Sequence, residues 1–140
     1  MQEETNLLRM SNYERHGQLP GSLELAYLGD TIYDLYVRAR LVAVGGSVNK
    51  LHKSAVQCVC AHAQADALNR IEHELTTQEM DVVRRGRNAK QSPAKNADRA
   101  EYHQATGLEA LIGYLYVTGQ MERLDEIVNH ALDVRQSGGA

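Results

Sequence analysis

The sequence has few residues that interrupt helices and no segment that reads as a convincing strand. Only two prolines occur, Pro20 and Pro93, and between them apolar residues recur mainly at spacings of three and four. Strand-helix alternation, which builds the parallel sheet of many nucleotide-binding folds, is absent. The sequence therefore predicts an all-α fold and argues against a nucleotide-binding sheet.

Features of secreted, membrane and zinc proteins are also missing. Cys58 and Cys60 would point to different sides of a helix, which disfavours a local disulfide or a two-cysteine metal grip. The histidines do not fall at the spacing of a zinc pair. No apolar run approaches the ~20 residues of a membrane span, and the first residues do not resemble a signal peptide. We therefore expect a cytosolic protein with no membrane partner.

Capping signals and apolar stripes divide the chain into about five or six helices. Ser22 is a predicted N-cap, and Thr76 with Glu79 forms a capping box. Glycines supply the expected helix ends. The predicted helices run from Ser22 to Gly45, from Ser47 to near Glu74, from Thr76 to Gly86, from Asn96 or Asp98 to about Val117, and from Met121 to Val134.

The length of 140 residues suits one domain with a single core. We predict an N-terminal segment over residues 1–21, a helical domain over residues 22–135 and a frayed tail over residues 136–140. Residues 86–97 are the one clear loop, because no apolar period survives among their polar and basic side chains.

Charge is unevenly distributed along the chain. The formal net charge is -3, but the segment from Arg84 to Arg99 holds six basic residues and one acid, a local sum of +5 that leaves -8 for the remainder. A local positive field of this kind attracts polyanions whatever the total charge.

Two acids stand alone in apolar helical segments. Asp30 lies within LAYLGDTIYDLY, and Glu109 is the only charged residue of GLEALIGYLYV. Burying an unpaired carboxylate is costly, so each must be protonated, paired with a cation or exposed to a polar cavity. Mg²⁺ would satisfy both acids together, since it prefers oxygen ligands and can be held by one or two carboxylates. The alternative is that each acid pairs with an arginine such as Arg38 or Arg40.

Asp34 is a weaker candidate for the same metal site. It lies four residues after Asp30 and would share its helix face. An ion pair with Arg38, four residues further on, is an equally good explanation of its position.

The basic segment is a candidate surface for nucleic acid. Arginine and lysine side chains suit phosphate oxygens, and Gly86 with short polar residues would let backbone N–H groups approach a sugar-phosphate chain. A solvated loop of no special function is the alternative. The candidate RNA-binding residues are Arg84, Arg85, Arg87, Asn88, Lys90 and Lys95.

Long ordered motifs resemble a known family. LAYLGDTIYDLYV resembles the signature helix of the ribonuclease III catalytic domain, and TGLEALIGYLYV resembles its second catalytic helix. The segments RRGRNAK and PAKNADRAEYHQATGLEALIGYLYVTG resemble Mini-ribonuclease III, a compact bacterial branch without a double-stranded-RNA-binding domain. The resemblance spans about residues 23–134 and implies the helical bundle of that catalytic domain.

The resemblance implies a function and roles for individual residues. It implies an endoribonuclease that cuts double-stranded RNA, with Asp30 and Glu109 as catalytic residues that hold Mg²⁺. Products would carry 5′-phosphate and 3′-hydroxyl ends, and a large-subunit ribosomal RNA precursor would be the substrate. It also implies a homodimer in which the signature helices meet and Tyr27 plugs the partner subunit.

Two acidic positions of longer ribonuclease III enzymes are occupied by other residues. Where those enzymes have a glutamate and an aspartate, this chain has Ala26 and Thr106. The metal site would therefore hold fewer carboxylates and more water. The competing hypothesis is a catalytically degenerate RNA-binding or ribosome-associated helical protein.

Overall fold

The computed structural model describes residues 13–89 and 99–138, with side chains in the last helix described as far as residue 132. Within these residues the chain forms six α-helices, one short 3₁₀ helix and no strand. The α-helices are α1 (Ser22–Val44), α2 (Val48–Val59), α3 (Ala61–Ile71), α4 (Thr77–Asn88), α5 (Arg99–Val117) and α6 (Met121–Gly138), and the 3₁₀ helix is Glu72–Glu74. The predicted all-α fold is confirmed.

Helix α1 begins one residue earlier than predicted. Gly21 is the N-cap, and its N–H donates to Glu24 Oε1 at 3.0 Å, so Ser22 is the first helical residue. The helix ends as predicted at Gly45, whose φ of 94° suits glycine.

The single helix predicted from Ser47 to near Glu74 is wrong, because the chain breaks it at Cys60. Cys60 is extended, with φ -69° and ψ 162°, and separates α2 from α3. The Gln64 side chain donates to the Val59 carbonyl oxygen at 3.1 Å and so satisfies a carbonyl group at the end of α2. The alanine-rich sequence around Cys60 carries no local signal for this bend.

The capping box at the start of α4 is confirmed, but the predicted end of this helix at Gly86 is wrong. The Glu79 N–H donates to Thr76 Oγ1 at 3.1 Å, and the Thr76 N–H donates to Glu79 Oε1 at 2.9 Å. The helix continues through Gly86 to Asn88. Gly86 is buried, and a Cβ atom there would lie 2.9 Å from Ala110 Cβ and 3.1 Å from Gly107 Cα. Gly86 therefore allows α4 to approach α5, and neither ends the helix nor exposes its backbone to RNA.

Helix α5 is the centre of the bundle and packs against α1, α3, α4 and α6. It ends at Val117 as predicted, while the proposed caps Asn96 and Asp98 lie outside the described residues. The largest side chains of the main core are Tyr33, Leu68, Ile71, Leu108, Leu111, Ile112, Leu115, Leu124 and Ile127. None of the helices in the described ranges is both long and apolar enough to cross a membrane.

Two glycines bring the backbones of α1 and α5 into direct contact. A Cβ atom on Gly29 would lie 1.8 Å from the Glu109 carbonyl oxygen, and one on Gly113 would lie 2.0 Å from the Leu25 carbonyl oxygen. Any other residue at either position would force the helices apart. The crossing places Asp30, which follows Gly29, beside Glu109.

Candidate active site

A cavity of about 480 Å³ opens where α1, α5 and the bend between α2 and α3 meet. Helix α1 contributes both Asp30 and the aromatic ring of Tyr27, and α5 contributes Glu109. The lining residues are Leu23, Ala26, Tyr27, Asp30, Val59, Ala61, Gln64, Tyr102, Ala105, Thr106 and Glu109. Both lone acids singled out in the sequence therefore lie in one pocket.

Asp30 and Glu109 contact each other directly. Burial, the hydrogen bond with Asp30 and the negative charge of Asp30 together raise the pKa of Glu109 to about 8, against a smaller opposing hydrogen bond from Gln64. Asp30 itself is exposed. Two carboxylates that share a site repel each other when both are charged, so the pair favours a bound proton or a cation.

The arginines considered as alternative partners have other contacts. Arg38 Nε lies 3.1 Å from Asp34 Oδ2, four residues earlier on α1. Arg40 donates to the Asn129 side chain on α6. The groups that shift the pKa of Glu109 are Asp30 and Gln64, with no arginine among them. For Asp34, in contrast, the ion pair with Arg38 is the arrangement observed.

The residues of the pocket fit a hard divalent ion. Carboxylate oxygens are the ligands that Mg²⁺ prefers, and such an ion commonly keeps several waters. The described part of the chain contains no group of three or more histidine, cysteine, aspartate or glutamate side chains that could hold a metal ion, so water or substrate would have to supply further ligands here. The buried amide oxygen of Gln64 adds a neutral oxygen to the same pocket and has no hydrogen-bond partner among the described residues.

Ala26 and Thr106, the two positions that the sequence resemblance matched to acids of longer ribonuclease III enzymes, line this cavity. Both are buried, each with 6% of its surface exposed. The Thr106 hydroxyl donates to the Tyr102 carbonyl oxygen at 3.0 Å and is satisfied within its own helix. Of these two positions and those of Asp30 and Glu109, only the last two carry acids in this chain.

The predicted RNA-binding arginines on α4 are partly neutralised by neighbouring acids. Arg84 pairs with Asp81, and Arg85 Nη2 lies 2.9 Å from the other oxygen of the same carboxylate. The side chains of both arginines are more than half exposed. They are therefore accessible, although their positive field is weaker than the sequence alone suggested.

Arg87 differs from the other two arginines because its guanidinium lies inside a polar network. Its Nη1 donates to Gln104 Oε1 at 2.9 Å and lies 3.4 Å from Glu72 Oε2. Asn88 is exposed at the end of α4, while Lys90 and Lys95 lie outside the described residues.

Tyr27 is the most exposed large hydrophobic side chain of the described residues, with 84% of its surface accessible. It stands on the wall of the cavity beside Leu23, which is 39% exposed. An aromatic ring in this position is available for contact with another molecule.

Gln64 is the member of the pocket that the sequence did not reveal. It is 1% exposed and reaches the cavity only because the chain bends at Cys60. In the sequence it is one polar residue among alanines, and the helix predicted through this region gave it no special place.

Comparisons with known proteins identify the family of this chain. Residues 23–120 match the model of the family described as Ribonuclease III domain. A protein of Symbiobacterium thermophilum named Mini-ribonuclease 3 is 53% identical over 118 residues, 83% of this chain and 91% of the relative. Its namesake from Brevibacillus brevis is 48% identical over 122 residues, 86% of this chain and 91% of the relative.

A crystal structure of a Fusobacterium nucleatum protein has a similar fold. The TM-score is 0.77 at 28% sequence identity, and the match covers 86% of this chain and 94% of the other. The family match and the relatives together cover the helices that build the pocket. The chain therefore belongs to the Mini-ribonuclease 3 branch of the ribonuclease III family and is an endoribonuclease.

Proposed function

We propose that this endoribonuclease cuts double-stranded RNA with the help of Mg²⁺, which Asp30 and Glu109 hold. The observation that supports this most directly is the meeting of the two carboxyl groups in one open cavity, where a cation would relieve their repulsion. Oxygen donors of this type suit Mg²⁺ better than zinc or copper.

The protein contributes placement and charge to this reaction. The close crossing at Gly29 and Gly113 holds Asp30 on α1 against Glu109 on α5. Bound Mg²⁺ would lower the pKa of an attacking water and stabilise the departing 3′ oxygen of the phosphodiester. Ala26 leaves space in the pocket and adds no charge, so water and an RNA phosphate can approach the carboxylates. Cleavage of this type leaves 5′-phosphate and 3′-hydroxyl ends.

Basic residues near the end of α4 are the proposed RNA contacts beyond the metal. Arg84 and Arg85 are exposed and can reach phosphate groups, while Arg87 is held by Glu72 and Gln104 and would fix the shape of this surface. Asn88, Lys90 and Lys95 complete the proposed set. Because A-form RNA hides its base edges, such contacts would recognise shape and backbone.

We also propose that the active form is a homodimer. Tyr27 and Leu23 present an exposed apolar patch beside the cavity, and burial of this patch between two copies would place one site on each strand of a duplex. The proposed biological substrate is a precursor of large-subunit ribosomal RNA in the cytoplasm.

A cleavage assay on perfect duplex RNA tests the metal and substrate together. We expect the wild type to cut in the presence of Mg²⁺ and not after treatment with a chelator. The Asp30→Asn variant should lose at least ~100-fold in rate, because the neutral amide binds the ion weakly. Asp34→Asn is the matched control on the same helix and should retain most activity, since Asp34 pairs with Arg38.

The competing function is RNA binding without cleavage. Only two of the four positions that are acidic in longer enzymes carry an acid here, which would fit a domain that has lost its catalytic activity. Wild-type protein that binds duplex RNA with Mg²⁺ present but leaves it intact would contradict the proposed function and favour this alternative.

A further inference from the structure

Gln64 is a buried polar side chain whose hydrogen bonds are incomplete. It is 1% exposed, and its Oε1 atom is buried without a hydrogen-bond partner among the described residues. A buried polar atom left in this state costs on the order of 1–3 kcal/mol, which is unfavourable unless another group satisfies it in the working enzyme. Gln64 therefore requires an explanation beyond packing.

The orientation of the amide follows from its other contacts. The Nε2 atom donates to the Val59 carbonyl oxygen at 3.1 Å, and an amide nitrogen is the only end of this side chain that can do so. The side chain also makes a hydrogen bond with the Glu109 carboxyl group. Both hydrogen bonds use the amide nitrogen, so the carbonyl oxygen is left without a partner among the described residues.

The free oxygen belongs to a cavity that already contains both proposed metal ligands. Gln64 lines the cavity together with Asp30 and Glu109. Ala26 and Thr106 also line this cavity; Ala26 has no side-chain oxygen, and the Thr106 hydroxyl donates to the Tyr102 carbonyl oxygen. The Gln64 carbonyl oxygen therefore lies in the same pocket as the two carboxyl groups and lacks a donor among the described residues.

We propose that Gln64 is a positioning residue of the metal site, which holds the Glu109 carboxylate through Nε2 and accepts a hydrogen bond from a water of the bound ion through Oε1. This inference rests on the proposed function, since it concerns the same ion. Groups that orient metal ligands in this way typically change metal affinity about 10- to 100-fold when they are removed.

The bend at Cys60 explains how Gln64 reaches this position. Because α2 stops at Val59, its last carbonyl oxygen can accept from the Gln64 side chain, while the Gln64 N–H donates to the Cys60 carbonyl oxygen at 3.0 Å to begin α3. In the continuous helix that the sequence predicted, the Val59 carbonyl would instead bond to a backbone N–H.

Metal binding in the absence of RNA tests the proposal without relying on cleavage. Isothermal titration with Mn²⁺ should give a dissociation constant at least ~10-fold higher for Gln64→Met than for wild type. Methionine keeps the volume of the side chain but leaves the Val59 carbonyl oxygen without this donor, so the variant should lose some metal-free stability in urea and still fold. At saturating Mg²⁺ the variant should recover much of its kcat, with a raised Mg²⁺ concentration for half-maximal cleavage.

Leu68→Ala is the matched control, because Leu68 lies one turn further along α3 and is fully buried away from the cavity. It should lose stability and keep the Mn²⁺ affinity of the wild type. Should Gln64→Met fail to fold, Gln64→Asn takes its place, since the shorter amide withdraws from both contacts and should weaken Mn²⁺ binding in the same way.

The Glu109→Gln variant distinguishes a failure of the Gln64 proposal from a failure of the proposed metal site. If it loses Mn²⁺ binding while Gln64→Met binds as tightly as the wild type, Gln64 has only a packing role and the inference is wrong. If Glu109→Gln also binds Mn²⁺ like the wild type, the metal site of the proposed function is wrong and this inference goes with it.

Discussion

At the scale of single residues, Glu109 has the most perturbed environment among the acids of the pocket. Burial and the neighbouring Asp30 raise its pKa to about 8. The folded protein therefore holds a proton at Glu109 between about pH 4.5 and pH 8, whereas the unfolded chain releases it. The contribution of Glu109 to the free energy of unfolding is therefore fully present below pH 4.5 and is lost as the pH rises to about 8.

We expect the Glu109→Gln variant to remove this pH dependence. In a chelating buffer, wild-type stability should fall between about pH 4.5 and pH 8 by up to about 1.4 kcal/mol per pH unit relative to the variant. Above pH 8 the variant should be the more stable protein. Urea unfolding at several pH values measures this difference, and parallel curves for the two proteins would contradict it.

At the scale of elements, the crossing of α1 and α5 depends on the absence of side chains at Gly29 and Gly113. The Gly29→Ala variant should lose about 3 kcal/mol or more, because the added Cβ atom would lie 1.8 Å from the Glu109 carbonyl oxygen and the helices would have to separate. Urea unfolding gives the loss of stability. Gly21→Ala is the control, since its Cβ would approach Glu24 Oε1 only to 3.9 Å, and a loss of similar size there would contradict the crossing argument.

The start of α4 shows one side chain with a local and a distant role. Glu79 completes the capping box with Thr76, and its carboxylate also accepts from Arg123 Nε and Nη2 on α6, each at 2.8 Å. The hydrogen bond from Arg123 holds the pKa of Glu79 below its usual range, although burial opposes it. The capping box could be read from the sequence, whereas the partner on α6 could not.

At the scale of the whole molecule, the exposed patch beside the cavity predicts association of two copies. Tyr27→Asp should shift the protein from dimer to monomer and lower the rate of duplex cleavage, because a charged side chain cannot be buried in an apolar interface without a partner. Sedimentation velocity measures the assembly state.

Val48→Asp is the control for this prediction. Val48 is 79% exposed at the start of α2 and does not line the cavity, so the substitution should leave assembly unchanged. A wild-type protein that sediments as a monomer at micromolar concentration would contradict the proposed dimer.

Some properties of the protein were determined by local sequence patterns. Helix starts and stops at Gly45, Thr76 and Met121 follow from capping and turn residues whose partners lie within a few positions. The lone acids Asp30 and Glu109 were visible as candidates because each interrupts an apolar stripe.

Other properties were decided only in the folded chain. The break at Cys60, the burial of Gly86 against α5 and the place of Gln64 in the pocket all depend on contacts between residues on different helices. The sequence by itself determined that two acids would need a cation or a polar cavity, because that cost belongs to each carboxylate alone. The tertiary structure decided that they share one cavity, because only the close crossing of α1 and α5 brings their side chains together.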